Sequence, residues 1–343
     1  MHAASASADC SRSYRQLNID VVQQEGGRKL TRNMKKATIV AEDIHFGEGP
    51  GVGPDGKMYV SDFYAFEVLR FDQKTWAREV VAKVPAQPSG LGWLPDGRLL
   101  IVSMLDFKIL RLEPDGKLVE HADVSGVARG AANEMRVDQK GRAWVGSFGF
   151  DFYAALKKDP AADPLFGPGA NPPTAEIALV DVDGTVTSVA SGMRFPNGTV
   201  QLSDDTMIIA ETCGSCLTAF TIGDDGKLTN RRVWADMSSA GPQGQPIRPD
   251  GICVDAEDAI WVSDPNHHRA VRIVEGGKIV DVVATSQGCF AVALGGGKGK
   301  TLVCCTAETS NPNIAGAKRT GRLEIAEVPV PAPIHEYASR NLA

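Results

Sequence analysis

Six short segments of the chain open on a polar or reactive residue, and each opening is followed by an apolar strand and, in most cases, a tight turn. The openings are Glu48, Ser89, Asn133, Asn197, Asp250 and Cys289. Carboxylate and carboxamide oxygens are hard ligands, so convergence of these side chains would suit a divalent cation such as Ca²⁺. Two buried carboxylates are costly unless a cation or protons compensate them. The alternative for any single opening is a plain turn, because Asn-Gly and Asp-Gly are common turn sequences.

The spacing of the openings indicates the elements that must position them. They recur at intervals of roughly 40 residues or somewhat more, which is typical of propeller blades. Within a repeat, a short strand leads into a turn such as Pro54-Asp55-Gly56, then an alternating strand such as residues 58–61 and a third strand such as residues 67–71. We therefore predict an all-β fold, a six-bladed β-propeller with four-stranded antiparallel blades around a central axis.

The predicted domain organisation has three parts. Residues 1–36 show no strand alternation and are expected to form a disordered N-terminal extension. Residues 37–330 form the propeller, and residues 331–343 form a C-terminal tail. The strand at residues 37–41 has no hairpin partner of its own, so pairing with residues 323–328 would close the ring and leave no free sheet edge.

Composition excludes several classes of function. A formal net charge of −6 argues against a nucleic-acid partner, which would require a basic face. No apolar run approaches the roughly 20 residues of a membrane-spanning helix, and the N-terminus lacks the apolar core of a secretion signal. Seven scattered cysteines fit a reducing compartment. These features predict a cytoplasmic protein, monomeric or homodimeric, with a small-molecule substrate and no membrane partner.

Propeller topology predicts which face carries the site. Chain direction alternates within a blade, so the start of each innermost strand and the loop between the second and third strands lie on the same face. Those loops bring the following candidate substrate-binding residues to that face: Leu105, Phe107, Phe148, Phe150 and His267. The apolar members either line a pocket or pack between blades. His267 either orients substrate or assists proton transfer, or it is a solvated loop histidine.

Three loops extend this prediction. Residues 152–173 lengthen the third repeat on the same face and are either a lid or a tolerated surface insertion. Residues 238–249 have the same alternatives just ahead of Asp250. Cys213 and Cys216 have the spacing of a redox or zinc motif, but no second such pair exists in the sequence, so a plain turn is the favoured interpretation.

Three motifs resemble those of a known family. They are Phe-Gly-Glu-Gly-Pro at residues 46–50, Phe-Pro-Asn-Gly at 195–198 and Arg-Pro-Asp-Gly at 248–251. Together they are similar to the senescence marker protein (regucalcin), gluconolactonase and luciferin-regenerating enzyme family of six-bladed propellers, over residues 37–330. The resemblance implies that Glu48, Asn197 and Asp250 bind one divalent metal ion, and that Asn133 contacts the substrate and a water molecule held by the metal. Ca²⁺ is the favoured ion, with Zn²⁺, Mn²⁺ and Mg²⁺ as alternatives.

The activity that the resemblance implies is hydrolysis of a lactone by metal-activated water. The metal would polarise the ester carbonyl and lower the pKa of the attacking water. Asp250 would act as the catalytic base and return the proton to the leaving alkoxide, and Asn133 would be the second catalytic residue, donating from its amide without adding charge.

Two departures from the family's pattern bear on the substrate. Ala131 stands where sugar lactonases of the family often carry an arginine, which together with the aromatic loops favours an apolar or aromatic lactone over a gluconolactonase-type sugar lactone. Cys289 stands where propellers similar to diisopropyl fluorophosphatase carry a histidine, which disfavours a phosphotriesterase. A non-catalytic calcium-binding regulator is the third alternative, since fold alone does not determine function.

Overall fold

A computed structural model describes residues 34–333 and two short strands before them, Gln24–Glu25 (β1) and Arg28–Lys29 (β2). These two strands pair antiparallel with each other. The other residues of the predicted N-terminal extension before residue 34 lie outside the described residues, so the disorder of that segment stays a prediction. Lys35–Lys36 (β3), which the sequence assigned to that extension, pairs parallel with residues 283–284.

Residues 35–333 contain six antiparallel sheets of four strands, joined in order along the chain, and the predicted six-bladed propeller is confirmed. The strands of the first three blades, from the inside outward, are Gly47–Val52 (β5), Met58–Asp62 (β6), Glu67–Phe71 (β7) and Arg78–Lys83 (β8); Pro88–Trp93 (β9), Leu99–Ser103 (β10), Lys108–Leu112 (β11) and Leu118–Asp123 (β12); and Ala132–Val137 (β13), Ala143–Ser147 (β14), Ala175–Val180 (β15) and Val186–Met193 (β16).

The last three blades follow the same order, except that the outermost strand of the sixth comes from the N-terminal side of the chain. Their strands are Pro196–Gln201 (β17), Thr206–Glu211 (β18), Cys216–Ile222 (β19) and Leu228–Asp236 (β20); Ile252–Val254 (β21), Ile260–Asp264 (β22), Arg269–Ile273 (β23) and Ile279–Ala284 (β24), with β3 added at the edge; and Gly288–Gly295 (β25), Thr301–Ala307 (β26), Gly321–Glu327 (β27) and Thr38–Ile44 (β4).

The core lies between the blades in the inner half of the disc. Every residue of β6, β10, β14 and β22 is buried, because both faces of these second strands pack against neighbouring blades. The outermost strands are mostly exposed, as in β8. The innermost strands contact one another in a closed cycle, from β5 through β9, β13, β17 and β21 to β25 and back.

The ring closes as the sequence predicted. Strand β27 pairs antiparallel with β4, so chain segments from opposite ends share the sixth blade. Adjacent blades are also joined by hydroxyl groups at the ends of second strands. Ser61 donates to the Ser89 carbonyl at 2.6 Å, and Ser263 donates to the Phe290 carbonyl at 2.7 Å.

Some close contacts at the axis require glycine. A Cβ atom on Gly90 would lie 2.4 Å from the Met135 backbone nitrogen, and one on Gly198 would lie 2.4 Å from that of Ile252. The glycines that follow the openings therefore reflect close packing of inner strands.

Two short helices interrupt the β structure. Phe152–Lys158 (α1) lies in the third-blade insertion, where Asp151 caps it by accepting a hydrogen bond from the Ala154 backbone. Pro312–Ala315 (α2) joins β26 to β27 and is capped by Asn311. Helix α1 was not predicted from the sequence, because its seven residues carry too little periodicity to stand out from a loop.

The described part of the C-terminal tail makes two backbone hydrogen bonds to the propeller. Pro331 and Ala332 hydrogen-bond to the backbones of Ala256 and Gly299, and the rest of the predicted C-terminal tail lies outside the described residues. Among residues 34–333, no helix has the length and apolar character needed to cross a membrane.

Candidate active site

The polar openings lie where the pairing of the innermost strands is interrupted. In the first, third and fourth blades the register shifts immediately after the opening, between Glu48 and Gly51, Ala132 and Met135, and Pro196 and Thr199. An extra residue at such a bulge bends the strand and redirects the side chains beside it. The repeated bulge therefore places the openings on one face of the disc, which we call the axial face.

Hydrogen bonds join four openings across four blades. Ser89 donates from Oγ to Oδ1 of Asn133 at 3.1 Å, and Asn133 donates from Nδ2 to Oδ1 of Asn197 at 3.5 Å. Asn197 donates in turn to the Asp250 carboxylate and, from Nδ2, to the Thr212 hydroxyl at 3.2 Å. The predicted catalytic and ligand residues Asn133, Asn197 and Asp250 thus lie side by side.

Glu48 lies opposite this chain and is short of partners. Its side chain is 4% exposed and receives a hydrogen bond from the Gly49 backbone, but its Oε2 has no partner among the described residues. Burial raises the pKa of Glu48 well above its usual value, and the carboxylates of Asp250 and Glu134 raise it further. An unpartnered buried carboxylate oxygen is costly, and a cation would offset that cost.

Asp250 is also a buried carboxyl group with a raised pKa. Burial raises its pKa well above the usual range, the nearby Glu134 carboxylate adds to the increase, and the hydrogen bond from Asn197 opposes it. Since like charges in a buried space cannot all ionise without compensation, these carboxyl groups hold their protons more tightly than free ones.

Glu134 was missed by sequence reasoning. Burial raises its pKa to about 7. The Glu134 side chain is partly exposed, but protein atoms surround it on most sides. Because few water molecules can solvate its carboxylate there, the charged form is disfavoured. Adjacent residues of a regular strand point to opposite sides, so Asn133 alone was assigned to the site; the bulge in β13 breaks that alternation. Two polar residues in succession on an inner strand were the available signal.

The donor set fits a hard divalent cation. Glu48, Asn197 and Asp250 offer two carboxylates and one amide oxygen, and the orphaned Oε2 of Glu48 is an unused acceptor. Among residues 34–333, no three His, Cys, Asp or Glu side chains are grouped closely enough to hold a metal by themselves. Any metal site here therefore depends on the Asn197 amide oxygen, which is a normal ligand for Ca²⁺.

Aromatic rings cover the axial face beside these residues. The fully or nearly fully buried ones form what we call the aromatic layer: Phe46, Phe63, Phe148, Phe152, Phe166, Phe195 and Phe290. Phe148 and Phe195 have ring centroids 4.8 Å apart, and Phe46 and Phe290 have centroids 4.9 Å apart. Blades one, three, four and six all contribute, so the layer spans the axis.

The predicted substrate-binding residues divide into two groups. Phe148 belongs to the aromatic layer, and Phe150 packs against Phe152 and Phe195 of that layer, with ring centroids 6.3 Å apart in each pair. Phe107 packs against the larger hydrophobic core cluster that contains the layer, and Phe107 and Phe150 both remain partly exposed. Leu105 is 42% exposed and lies outside this cluster. Of the four apolar candidates, three are therefore brought together and one is on the rim.

His267 is engaged by protein groups on both ring nitrogens. Nδ1 lies 2.8 Å from Oδ1 of the buried Asp264, and Nε2 lies 3.1 Å from Oε1 of Gln245. Gln245 belongs to the loop ahead of Asp250, so His267 ties that loop to the fifth blade. This use of both nitrogens favours a role in holding the loop over a role in contacting substrate.

The third-blade insertion lies over the axial face. Phe166 packs edge-on against Phe290 at 5.6 Å between centroids. Arg248 donates to the Leu165 carbonyl at 3.2 Å, and Asn266 donates to the Phe166 carbonyl at 3.1 Å. The insertion is therefore fastened to the fifth and sixth blades and forms a cover, which agrees better with the lid interpretation than with a free surface loop.

Cys213 lies in a turn, as expected, and Cys216 is the first residue of the strand β19 that follows it. Residues Thr212–Gly214 form a single 3₁₀ turn between β18 and β19, and both thiols are free. The Cys213 thiol lies 3.7 Å from the Leu165 carbonyl, and burial raises its pKa to about 11. A thiol of this kind is unreactive at neutral pH.

Known proteins resemble the chain over most of its length. The family model of the SMP-30/Gluconolactonase/LRE-like region matches residues 46–308. Diisopropyl-fluorophosphatase from Loligo vulgaris is 26% identical over 263 residues, covering 70% of this chain and 79% of that protein. A pentonolactonase from Haloferax volcanii is 25% identical over 296 residues, covering 82% of this chain and 89% of the relative.

A solved structure supports the fold independently. The calcium-binding protein regucalcin from Agrobacterium tumefaciens superimposes with a TM-score of 0.67 at 19% identity, covering 87% of this chain and 95% of the other. At that identity the likeness shows the propeller fold alone.

Proposed function

The chain belongs to the SMP-30/gluconolactonase/LRE-like family, and from that premise we propose that it is a divalent-metal-dependent hydrolase that opens a lactone. The observation that carries the proposal is the buried set of Glu48, Asn197 and Asp250. Among the described residues, the two carboxylates have no cationic partner, and they lie beside a carboxamide. The relatives named for lactone and fluorophosphate hydrolysis support a hydrolase of esters.

Glu48, Asn197 and Asp250 would hold the ion, with Ca²⁺ the first choice because all three ligands are oxygen donors. When bound, such an ion polarises an ester carbonyl and lowers the pKa of a neighbouring water. The Asn133–Asn197–Asp250 hydrogen bonds orient the ligands before substrate arrives.

Asp250 would transfer the proton. Its carboxylate takes a proton from the attacking water as the water oxygen bonds to the carbonyl carbon. The ring C–O bond then breaks, and Asp250 returns the proton to the leaving alkoxide. One water is consumed, and the product is an open-chain hydroxy acid.

Asn133 would orient the substrate. Its Oδ1 accepts a hydrogen bond from Ser89, and this contact directs the Asn133 Nδ2 group toward Asn197. The hydrogen bond from Nδ2 to Asn197 is long, at 3.5 Å. One Nδ2 hydrogen is therefore available to donate to a substrate oxygen.

The substrate class that we propose is an apolar or aromatic lactone. Ala131 is fully buried and contributes no polar group, and the aromatic layer covers the same face. Each buried methylene favours binding by about 0.8 kcal/mol, so a few methylenes outweigh one hydrogen bond of about 1 kcal/mol.

The test begins with chelator-treated protein, titrated with CaCl₂ by calorimetry and assayed for ring opening with a pH indicator. Glu48→Gln should weaken Ca²⁺ binding by at least about tenfold, whereas Asp115→Asn, at an exposed turn, should leave it unchanged. Loss of hydrolysis on chelation, with recovery on adding Ca²⁺, supports the enzyme over a regulator.

The substrate panel compares γ- and δ-lactones of rising chain length, dihydrocoumarin, glucono-1,5-lactone and a fluorophosphate by kcat/KM. We expect the apolar lactones to lead. If gluconolactone wins by about tenfold, equivalent to about 1.4 kcal/mol, the sugar-lactonase alternative stands instead. Faster turnover of the fluorophosphate than of every lactone would favour the phosphotriesterase.

A further inference from the structure

Gln87 adopts a backbone conformation that its side chain does not favour. It lies immediately before β9, is 1% exposed, and has φ of 72°. The left-handed region is uncommon for residues other than glycine, asparagine and aspartate, and it strains the backbone. A glutamine at such a position calls for an explanation from its side chain.

The hydrogen bonds of Gln87 leave one polar atom unused. Its carbonyl accepts from the Met104 backbone at 2.9 Å, and its Oε1 accepts from the Tyr153 hydroxyl at 2.8 Å. The amide nitrogen Nε2 is buried and has no partner among residues 34–333. A buried donor without a partner is destabilising, so the fold tolerates Gln87 at a loss of stability.

The surroundings of Gln87 belong to the axial face. Tyr153, on α1, packs edge-on against Phe152 of the aromatic layer at 5.5 Å. Burial raises the pKa of Tyr64 well above its usual value, and nearby Tyr153 and Glu48 raise it further. Tyr64 packs against Phe46 of the same layer, with ring centroids 5.8 Å apart, so both tyrosines border the aromatic layer and Gln87 contacts one of them.

Gln87 is also linked to the third opening. Met104, whose amide nitrogen binds the Gln87 carbonyl, accepts a hydrogen bond at its own carbonyl from Ala132 at 3.0 Å. Ala132 precedes Asn133. The side chain of Gln87 thus lies one blade away from Ala131, the position that supplies no polar group.

We propose that Gln87 is a specificity-determining residue whose Nε2 donates a hydrogen bond to a substrate oxygen outside the reacting ester, and that Tyr153 is its positioning residue. This inference rests on the proposed lactonase function. The substrate class it names is a lactone with a mainly apolar frame and one additional hydroxyl or carbonyl oxygen. A polyhydroxylated lactone would leave most of its hydroxyls facing the aromatic layer unpaired.

The experiment compares matched lactones that differ in one oxygen: γ-butyrolactone with its 2-hydroxy and 3-hydroxy derivatives, in calcium-loaded protein. Wild type should favour one hydroxylated lactone by about five- to tenfold in kcat/KM, the worth of one hydrogen bond. Gln87→Met, which keeps side-chain length but has no donor, should abolish that preference through KM. Tyr153→Phe should reduce it in part, and Gln139→Met at an exposed turn should not change it.

A purely structural role makes a different prediction. If Gln87 only supported the fold, Gln87→Met would lower Tm and slow both lactones alike, and that result would overturn the proposal. Because methionine also leaves the Tyr153 hydroxyl without an acceptor, the Tm comparison uses the Gln87→Met/Tyr153→Phe double variant. Its Tm should equal or exceed that of wild type, since the unpartnered donor is gone.

Ligand-observed NMR separates this inference from the proposed function. If wild type opens none of the lactones, the lactonase proposal fails, and binding of the same pairs still tests Gln87. Preferential binding of a hydroxylated lactone that disappears in Gln87→Met supports the inference. Equal binding of every pair by wild type contradicts it.

Discussion

Blade five carries two buried aspartates at opposite ends of the short strand β21, and they are built in opposite ways. Asp255, at the turn that follows the strand, is fully buried and accepts from Arg272 Nε at 2.6 Å and from the Glu257 backbone at 2.9 Å. Asp250, ahead of the strand, is 4% exposed, and within residues 34–333 it has an amide partner but no cationic one. The same residue type therefore stabilises the fold at one end and is left short of charge compensation at the other.

The third blade repeats the contrast. Asp138 at its turn is held by Arg142 at 2.8 Å, with both side chains buried, whereas Glu134 on the preceding strand has a pKa raised to about 7. Carboxylates on the far face are neutralised within the protein. Asp264 on the axial face is likewise paired with Arg269 at 2.8 Å. The raised pKa values of Asp250 and Glu134 instead suit a ligand that brings positive charge.

The largest expected effect is a difference in the free energy of unfolding between variants of Asp255 and Asp250. Asp255→Asn should lower the free energy of unfolding by up to about 3–5 kcal/mol, because it removes the buried partner of Arg272 and leaves the exposed Glu257 to pair with that charge. Asp250→Asn, five residues earlier in the same blade, should leave metal-free stability unchanged or raise it, because it removes carboxylate repulsion. Chemical denaturation of both variants measures the difference. Equal destabilisation would mean that Asp250 is also a structural ion.

The second prediction concerns turnover. Asp250→Asn should lower kcat for the best lactone by about 10²-fold or more while the protein stays folded, because the variant has no base to accept the proton. Asp255→Asn, assayed at a temperature where it is folded, should retain wild-type kcat. Asn133→Ala should lower kcat or raise KM with Ca²⁺ binding retained. A near wild-type rate in Asp250→Asn would remove the general-base role.

The smallest expected effect is a pH dependence of the metal-free protein. The pKa of Glu134 is raised in the folded state, so its stabilising protonation is complete below the unfolded value near 4.5 and is lost as pH rises through about 7. Stability should therefore fall between about pH 4.5 and pH 7, by about 1–2 kcal/mol after allowance for partial exposure.

The matched variant for this effect is Glu134→Gln, which should flatten the profile, as should saturating Ca²⁺. Thermal unfolding across that pH range is the measurement. A profile in Glu134→Gln identical to that of wild type would assign the titration to another group.

The propeller was predictable because its signals are local and repeated. Alternating strands and Asp-Gly turns recur in each blade, and the unpaired strand at residues 37–41 indicated how the ring closes. The openings Asn133, Asn197 and Asp250 were identifiable because each begins a repeat, and the structure brings them into one hydrogen-bonded row.

The remaining site residues depend on contacts that no local pattern contains. Glu134 faces the other carboxylates only because a bulge breaks strand alternation, and Gln87 matters only because of what its amide lacks. His267 was a reasonable candidate on the correct face, but its partners Asp264 and Gln245 come from the fold of two loops. The alternation of polar and apolar residues in a sequence does not show which side-chain atoms will have hydrogen-bond partners in the fold.

The strand exchange in the sixth blade has a consequence for biosynthesis. Strand β4 must wait for β27, which is translated almost at the end of the chain, before it can pair. Contacts between such distant segments are entropically slow to form, so the nascent protein emerges with exposed strand edges that chaperones must protect. Glu48 and Asp250 lie in blades that meet only around the completed ring, so the ability to bind a cation should appear last and would report completion of folding.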